Sequence, residues 1–333
     1  MTVIETPAPV VTPATGRRLM GKAYSLDQAV DADSARLLAG LSWEAEHRPL
    51  FLRGEDETFD MVEKERAVVR SDTGDMFGVV GREHKIVSNA DFFGIADVLM
   101  QEAGTTWAEA RPFGGARANG ASPFLVFRLP QGIQVAGQDA VDASVLLNNG
   151  HVGNTALTYN VLPIRYDCSN VVTAALKAGK AGLNLFSMSI QHSGDMAAKI
   201  AAARAGLSLT TAYMREFQDL ADRMAAVEMD HAAFGDFLND LLPLKDDAGD
   251  RAKATVETQR DTFRSNWRNT ETISDDLKRT TWGALNVITE VIDHGVLDVR
   301  KSAVPADERR FNSVNFGQGA RLRARAYNLL AGV

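Results

Sequence analysis

Cysteine is nearly absent from this chain of 333 residues, which contains only Cys168. A single cysteine excludes an internal disulfide, so the sequence gives no sign of an oxidising compartment. Long apolar runs are also missing, because no stretch approaches the roughly 20 residues needed to cross a bilayer. At the N-terminus the weakly apolar part precedes an arginine pair, which reverses the order of a secretory signal. We therefore predict a cytoplasmic protein with no membrane partner.

Motifs for metal, nucleotide and nucleophile chemistry are equally scarce. The six histidines are scattered, with no two at metal-ligand spacing, so a zinc site is not predicted. Residues 114–120 are rich in glycine but lie between predicted strands and lack a following helix, which indicates a turn rather than a phosphate loop. No serine occupies a nucleophile elbow. We predict no metal and no cofactor, and these absences favour a non-catalytic protein over an enzyme.

Acidic residues outnumber basic ones, 43 to 36, which gives a formal net charge of −7. The whole chain should therefore not attract nucleic acid, and any such binding needs a local basic patch. The hydrophobic content of 45% is ample for a large core in one domain or two.

Hydrophobic periodicity predicts an α+β fold with a curved, mainly antiparallel sheet backed by helices and followed by a helical C-terminal region. We predict a flexible tail in residues 1–20, a sheet domain in 21–194, and a helical region in 195–333 that packs on it. The predicted strands include residues 49–53, 67–70, 76–80, 84–87, 107–113, 124–129, 133–135, 142–147, 155–164 and 183–190. Turns are predicted at Gly114-Gly115 and at Pro130-Gln131-Gly132, and the helix after residue 196 is predicted to be interrupted near Gly206.

The most informative stretch runs from residue 146 to residue 178. A polar turn that contains Asn149 and His151 leads into a strand, and the segment from Arg165 to Asn170 leads out of it into a helix. One interpretation is a capped strand-to-helix turn, in which Ser169 or Asn170 caps the helix and Asp167 lies near its positive end, so that these residues serve only the backbone. The other is that Asn149, His151, Arg165 and Asn170 converge on one side of the sheet as a polar site.

Basic residues gather at the C-terminus. From residue 300 onward there are seven of them against two acids, Asp307 and Glu308. The seven are Arg300, Lys301, Arg309, Arg310, Arg321, Arg323 and Arg325. The aromatic residues Phe311, Phe316 and Tyr327 lie among them. Basic residues with interleaved aromatics suit single-stranded nucleic acid, because charges track phosphates and rings stack on bases. The alternative is a solvated face that balances an acidic body.

Several segments resemble the phage/plasmid-like protein family, which is also called domain of unknown function 932. They are residues 147–151, 164–170, 281–286, the Asp293-His294 pair and 316–320. The chain departs from the family pattern at residues 149–151, where Ser-His followed by Gly is more usual, and at Ser169, where Thr or Gln is expected. The resemblance implies carriage on bacterial mobile elements or phages, whose genes often handle replication or recombination. The strand-strand-strand-helix order is also similar to the RecT and Red-beta type of single-strand annealing protein.

The leading hypothesis is ATP-independent binding of single-stranded DNA, with annealing of complementary strands, by a homo-oligomer in the bacterial cytoplasm. The predicted DNA-binding residues are Arg165, Tyr166, Arg300, Arg309, Arg310, Phe316, Arg321, Arg325 and Tyr327. One alternative is an enzyme in which His151 is the acid or base and Asn170 and Asp167 orient it. Another is a structural or host-interacting phage protein, which a large apolar surface patch would favour.

Overall fold

The structure is a computed structural model. It describes residues 23–152, 156–165, 170–171, 187–190, 196–294, 309, 313 and 317–332. Antiparallel strands occupy the first part of the chain, and the longest helices follow them. The predicted α+β class, an antiparallel sheet followed by a helical C-terminal region, is confirmed. The predicted tail, residues 1–20, lies outside the described residues.

Ten strands and eight α-helices are present among the described residues. The strands are β1 (Tyr24–Ser25), β2 (Ala45–Arg53), β3 (Phe59–Arg70), β4 (Met76–Gly81), β5 (Phe113–Arg117), β6 (Ser122–Val135), β7 (Asp139–Asn148), β8 (Leu157–Arg165), β9 (Asn170–Val171) and β10 (Ser187–Ile190). The helices are α1 (Ala32–Leu38), α2 (Asn89–Glu102), α3 (Met196–Ala225), α4 (His231–Leu241), α5 (Asp250–Asn269), α6 (Asp275–Lys278), α7 (Thr281–His294) and α8 (Gln318–Ala331).

The larger sheet has the strand order β1-β5-β6-β7-β8-β10, and β9 also pairs with β8. Its longest hairpin joins β6 to β7. The turn that we predicted within this hairpin, at Pro130-Gln131-Gly132, is wrong. Strand β6 continues through this segment, where the register shifts between Arg128 and Gly132. Proline has no amide hydrogen for the ladder, so it fits a bulge. The true turn lies at Ala136 and Gly137, whose positive φ angles of 49° and 69° suit a tight hairpin turn.

Three other local predictions are also wrong. Residues 107–112, which belong to the strand predicted over 107–113, are irregular, and β5 begins only at Phe113. Gly114-Gly115 does not break a strand but lies inside β5, where a Cβ on Gly114 would come within 2.8 Å of the Phe124 carbonyl oxygen. The close approach of β5 to β6 is therefore what requires glycine. Residues 84–87, predicted as a strand, are irregular and lead into α2.

A second sheet has the order β2-β3-β4. Its base is anchored by aromatic contacts, because the ring centroids of Trp43 and Phe77 lie 5.6 Å apart and both rings contact His151. Strand β4 pairs with β3 only as far as Glu65, so the outer part of β2 and β3 is a two-stranded ribbon.

The helical region and the larger sheet share one hydrophobic core. Helix α3 runs without interruption through Gly206, contrary to the prediction, and buries Met214, Phe217 and Met224. A hydrogen bond of 3.0 Å between the hydroxyls of Tyr159 and Thr210 links β8 to α3. Helix α7 is buried along its described length, so it forms the centre on which the sheet and the other helices pack.

Candidate functional site

The predicted polar site is divided between the two ends of one strand. Asn149 and His151 follow β7, and the last residue of β7 pairs with Thr158 near the start of β8. Arg165 ends β8, about 23 Å farther along at about 3.3 Å per residue. Asn170 lies opposite Arg165 on β9. The expected convergence of Asn149, His151, Arg165 and Asn170 therefore does not occur.

Asn149 and His151 are fully buried where the two sheets meet. The Asn149 side-chain amide donates to the Val87 carbonyl at 3.1 Å. The His151 ring lies 5.7 Å from the Trp43 ring and 5.9 Å from the Phe77 ring, measured between centroids. A general acid or base must reach its substrate. In this structure His151 instead packs where the smaller sheet meets the larger one, and Asn149 fixes the segment that leads into α2.

Arg165 is buried in a network that joins the larger sheet to the helical region. Its Nε donates to Asp139 at 2.7 Å, and its terminal nitrogens donate to the Thr272 carbonyl at 2.9 Å and to Asn286 at 3.4 Å. The other oxygen of Asp139 accepts from the indole nitrogen of Trp282 at 2.7 Å. The guanidinium is thus occupied inside the protein, where a phosphate cannot reach it.

Of the three arginines on helix α8, one is buried and two are exposed to solvent. Arg323 points inward and forms a buried ion pair with Asp293, whereas Arg321 and Arg325 are exposed. Leu329 is also exposed, so positions 321, 325 and 329 form one line along the helix, which we call the α8 outer stripe. Arg325 donates to the Asp240 carbonyl at 2.8 Å, which positions its side chain beside the end of α4.

The C-terminal segment that contains this stripe has no acidic residue. Residues 309–333 carry five arginines and neither Asp nor Glu, in a chain whose formal net charge is −7. No acidic side chain occupies the first turn of α8, so its N-terminal amide groups and positive dipole end add to the local positive potential. The described part of this segment therefore presents cations to solvent.

The remaining predicted residues are placed as follows. Tyr327 is buried, with 2% of its surface exposed, and cannot stack on a base in this conformation. Arg309 is partly buried and has partners of its own. Asn170 is described only through its backbone pairing. Tyr166, Asp167, Cys168, Arg300, Arg310 and Phe316 lie outside the described residues.

Burial raises the pKa of Tyr327 to about 12, and the neighbouring Arg223 opposes this shift. The phenol is therefore more easily ionised in the unfolded chain, near its ordinary pKa of 10.0. Its contribution to stability should be complete below pH 10 and should be lost as the pH rises through 12. We expect the Tyr327→Phe variant to show a smaller loss of unfolding free energy across this range in chemical denaturation. If unfolding free energy fell with pH at the same slope in the parent protein and in Tyr327→Phe, the raised pKa would not belong to Tyr327.

Sequence reasoning missed the partners of Arg165 and Arg323. Asp139, Trp282, Asn286 and Asp293 are 26 to 143 residues distant from the side chains that they bind, and no local pattern marks such contacts. Leu329 was also missed, although its spacing of four from Arg325 was a usable signal.

Within the described ranges, no group of three or more His, Cys, Asp or Glu side chains is placed to hold a metal ion. No helix in this part of the chain has the length and apolarity to span a bilayer.

Comparison with known proteins identifies the family. A search of curated proteins and a search of solved structures each found no match to the chain. A family model described as Domain of unknown function (DUF932) matches residues 76–323, which includes the larger sheet from β5 onward and most of the helical region. The matched segment covers well over half of the sequence, and the chain belongs to the DUF932 family.

Proposed function

We propose that this protein binds single-stranded DNA without ATP, through the α8 outer stripe, and that copies of the chain also self-associate. The observation that carries the proposal is the pair Arg321 and Arg325, exposed side by side within a segment of 25 residues that has five arginines and no acid. The annealing role in recombination or replication that the resemblance implies would depend on this binding.

The geometry supports contact with the DNA backbone and not with the edges of bases. Residues four apart on a helix are separated by about 6 Å along its axis, so the two guanidinium groups can meet separate phosphates. Such contacts attract any sequence and weaken as salt rises, because each one releases a bound counterion. With Tyr327 buried, base stacking at this surface would fall to residues outside α8.

Replacing both exposed arginines should weaken binding to a labelled single-stranded oligonucleotide. We expect the Arg321→Ala, Arg325→Ala variant to lose at least about tenfold in affinity at low salt, measured by fluorescence anisotropy. The slope of log affinity against log salt should fall by about 1.4, or about 0.7 for each lost phosphate contact.

The matched control is Arg251→Ala, Lys253→Ala, which removes two exposed charges from α5 and so makes the same change in net charge. Its affinity should stay within about twofold of the parent protein, because long-range effects between exposed charges are screened. Absence of binding by the parent protein at low salt, or equal losses in the two variants, would refute the proposal.

A further inference from the structure

The β2–β3–β4 sheet carries an unusual share of the exposed apolar surface. Of the ten large hydrophobic side chains that are exposed in the described part of the chain, six lie on these three strands. They are Phe51, Leu52, Phe59, Met61, Met76 and Val79. Clustered exposed apolar side chains, unlike scattered ones, mark an interaction surface.

Three of them, Phe51, Phe59 and Met61, share one face of the outer ribbon, residues 51–61. Phe51 pairs with Met61, and Arg53 pairs with Phe59, so alternation of side chains places all four on the same face. Phe59 is 67% exposed and Phe51 is 53% exposed. A two-stranded ribbon is only marginally stable by itself. Burial of this face against a partner would therefore stabilise it.

The base of the outer ribbon has a fixed shape. The register of β2 and β3 shifts between Pro49 and Phe51, and the extra residues of β3 form a bulge there. One terminal nitrogen of Arg66 donates to the carbonyls of Val62, Glu63 and Glu65 at 3.2, 3.2 and 2.8 Å. This side chain ties the bulge together, and bulges re-aim the strand that carries them. The ribbon is thus presented in a defined direction.

The charge on the ribbon indicates which partner it suits. Residues 51–63 contain five acids (Glu55, Asp56, Glu57, Asp60 and Glu63) and one basic residue, Arg53, whose guanidinium pairs with Glu57 at 2.8 Å. The net charge of the ribbon is therefore negative. DNA is therefore excluded as its ligand by repulsion. Contact between two identical ribbon tips would also bring like charges together. The complementary surface on this chain is the α8 outer stripe, which presents Arg321 and Arg325 beside the exposed Leu329.

We propose that the outer ribbon of one copy docks on the α8 outer stripe of a second copy. The acidic turn meets Arg321 and Arg325, and the apolar face with Phe59 covers Leu329. Because the two surfaces differ, the contact is head-to-tail and generates a ring or a filament. The contact does not require DNA binding, but single-stranded DNA and the ribbon compete for the same two arginines.

A charge swap tests this contact. In sedimentation velocity of the full chain, Glu55→Lys, Asp56→Lys should weaken self-association by at least about tenfold, and so should Arg321→Glu, Arg325→Glu. All four substitutions together should restore it, because each new lysine then meets a new glutamate. The four positions are exposed, so the thermal midpoints of all variants should remain close to that of the parent protein.

Phe59→Ser should also weaken self-association, whereas the control Val30→Ser should not, since Val30 is 84% exposed and lies outside the ribbon. A monomeric parent protein, or failure of the fourfold variant to restore association, would overturn the inference. The lysine variant of the ribbon also separates the two proposals, because it should bind oligonucleotide at least as well as the parent protein. Restored association in the fourfold variant, together with no DNA binding by the parent protein, would leave this contact standing and remove only the proposed function.

Discussion

Replacement of Arg165 by methionine should lower the free energy of unfolding by roughly 3–5 kcal/mol. The substitution leaves the buried carboxylate of Asp139 with only the indole of Trp282 as a partner among the groups described here, and it leaves the Thr272 carbonyl without its donor. A buried charge that loses its counter-ion is costly because neither water nor a neighbouring group compensates it. Urea denaturation, followed by far-ultraviolet circular dichroism, measures the loss.

Arg48→Met is the matched control, since Arg48 pairs with Glu46 on the surface at 2.7 Å. Exposed pairs contribute little, so this variant should lie within about 1 kcal/mol of the parent protein. The double variant Asp139→Leu, Arg165→Met should lose less unfolding free energy than the sum of the losses in the two single variants. The reason is that it also removes the carboxylate that Arg165→Met leaves without its counter-ion. If Arg165→Met were no more damaging than Arg48→Met, Arg165 would again be a candidate for phosphate contact.

The second large effect is expected at Gly283, in the first turn of the buried helix α7. A Cβ at this position would lie 2.7 Å from the Lys278 carbonyl oxygen and would also clash with the Leu277 carbonyl oxygen. Both atoms belong to the backbone of the α6 segment, so they cannot rotate away as a side chain would. Gly283→Ala should therefore cost roughly 3 kcal/mol of stability, near the upper end for an overpacked core, in the same denaturation assay.

Gly235→Ala, in contrast to Gly283→Ala, should stabilise the protein. Gly235 lies within α4, and a Cβ there would meet nothing within 4 Å. Alanine should stabilise the helix by up to about 1 kcal/mol, because glycine loses more backbone entropy on folding. Destabilisation by both substitutions to the same extent would show that helix propensity, and not the close approach of α6, governs Gly283.

The local patterns that predicted the fold correctly were those with a strong period. Apolar side chains recur at spacings of three and four between Met214 and Val227, which is typical of a core-facing helix. Met214, Phe217 and Met224 are buried, whereas Val227, beyond the end of α3, is exposed. The period-two pattern of residues 76–80 predicted a strand, and these residues lie within β4. In both cases a single periodicity, 3.6 or 2, follows directly from backbone geometry.

The predictions that were wrong concern places where contacts distant in sequence override a local signal. A Pro-Gln-Gly segment favours a turn, yet pairing of β6 with β7 on both sides of it keeps the strand continuous through a bulge. Gly206 favours an interruption, yet packing of α3 against the sheet keeps the helix continuous. Propensity contributes at most about 1 kcal/mol at such a position, and tertiary packing exceeds it.

The sequence by itself determined the class of the fold, the family pattern and the concentration of arginines at the C-terminus, because composition and short-range periodicity are properties of the linear chain. Only the tertiary structure decided what each arginine does. Arg165 and Arg323 became internal partners of Asp139 and Asp293, while Arg321 and Arg325 stayed in solvent. The physical reason is that packing of β8 and α8 against α7 selects which guanidinium groups find a buried carboxylate, and no local sequence pattern encodes that pairing.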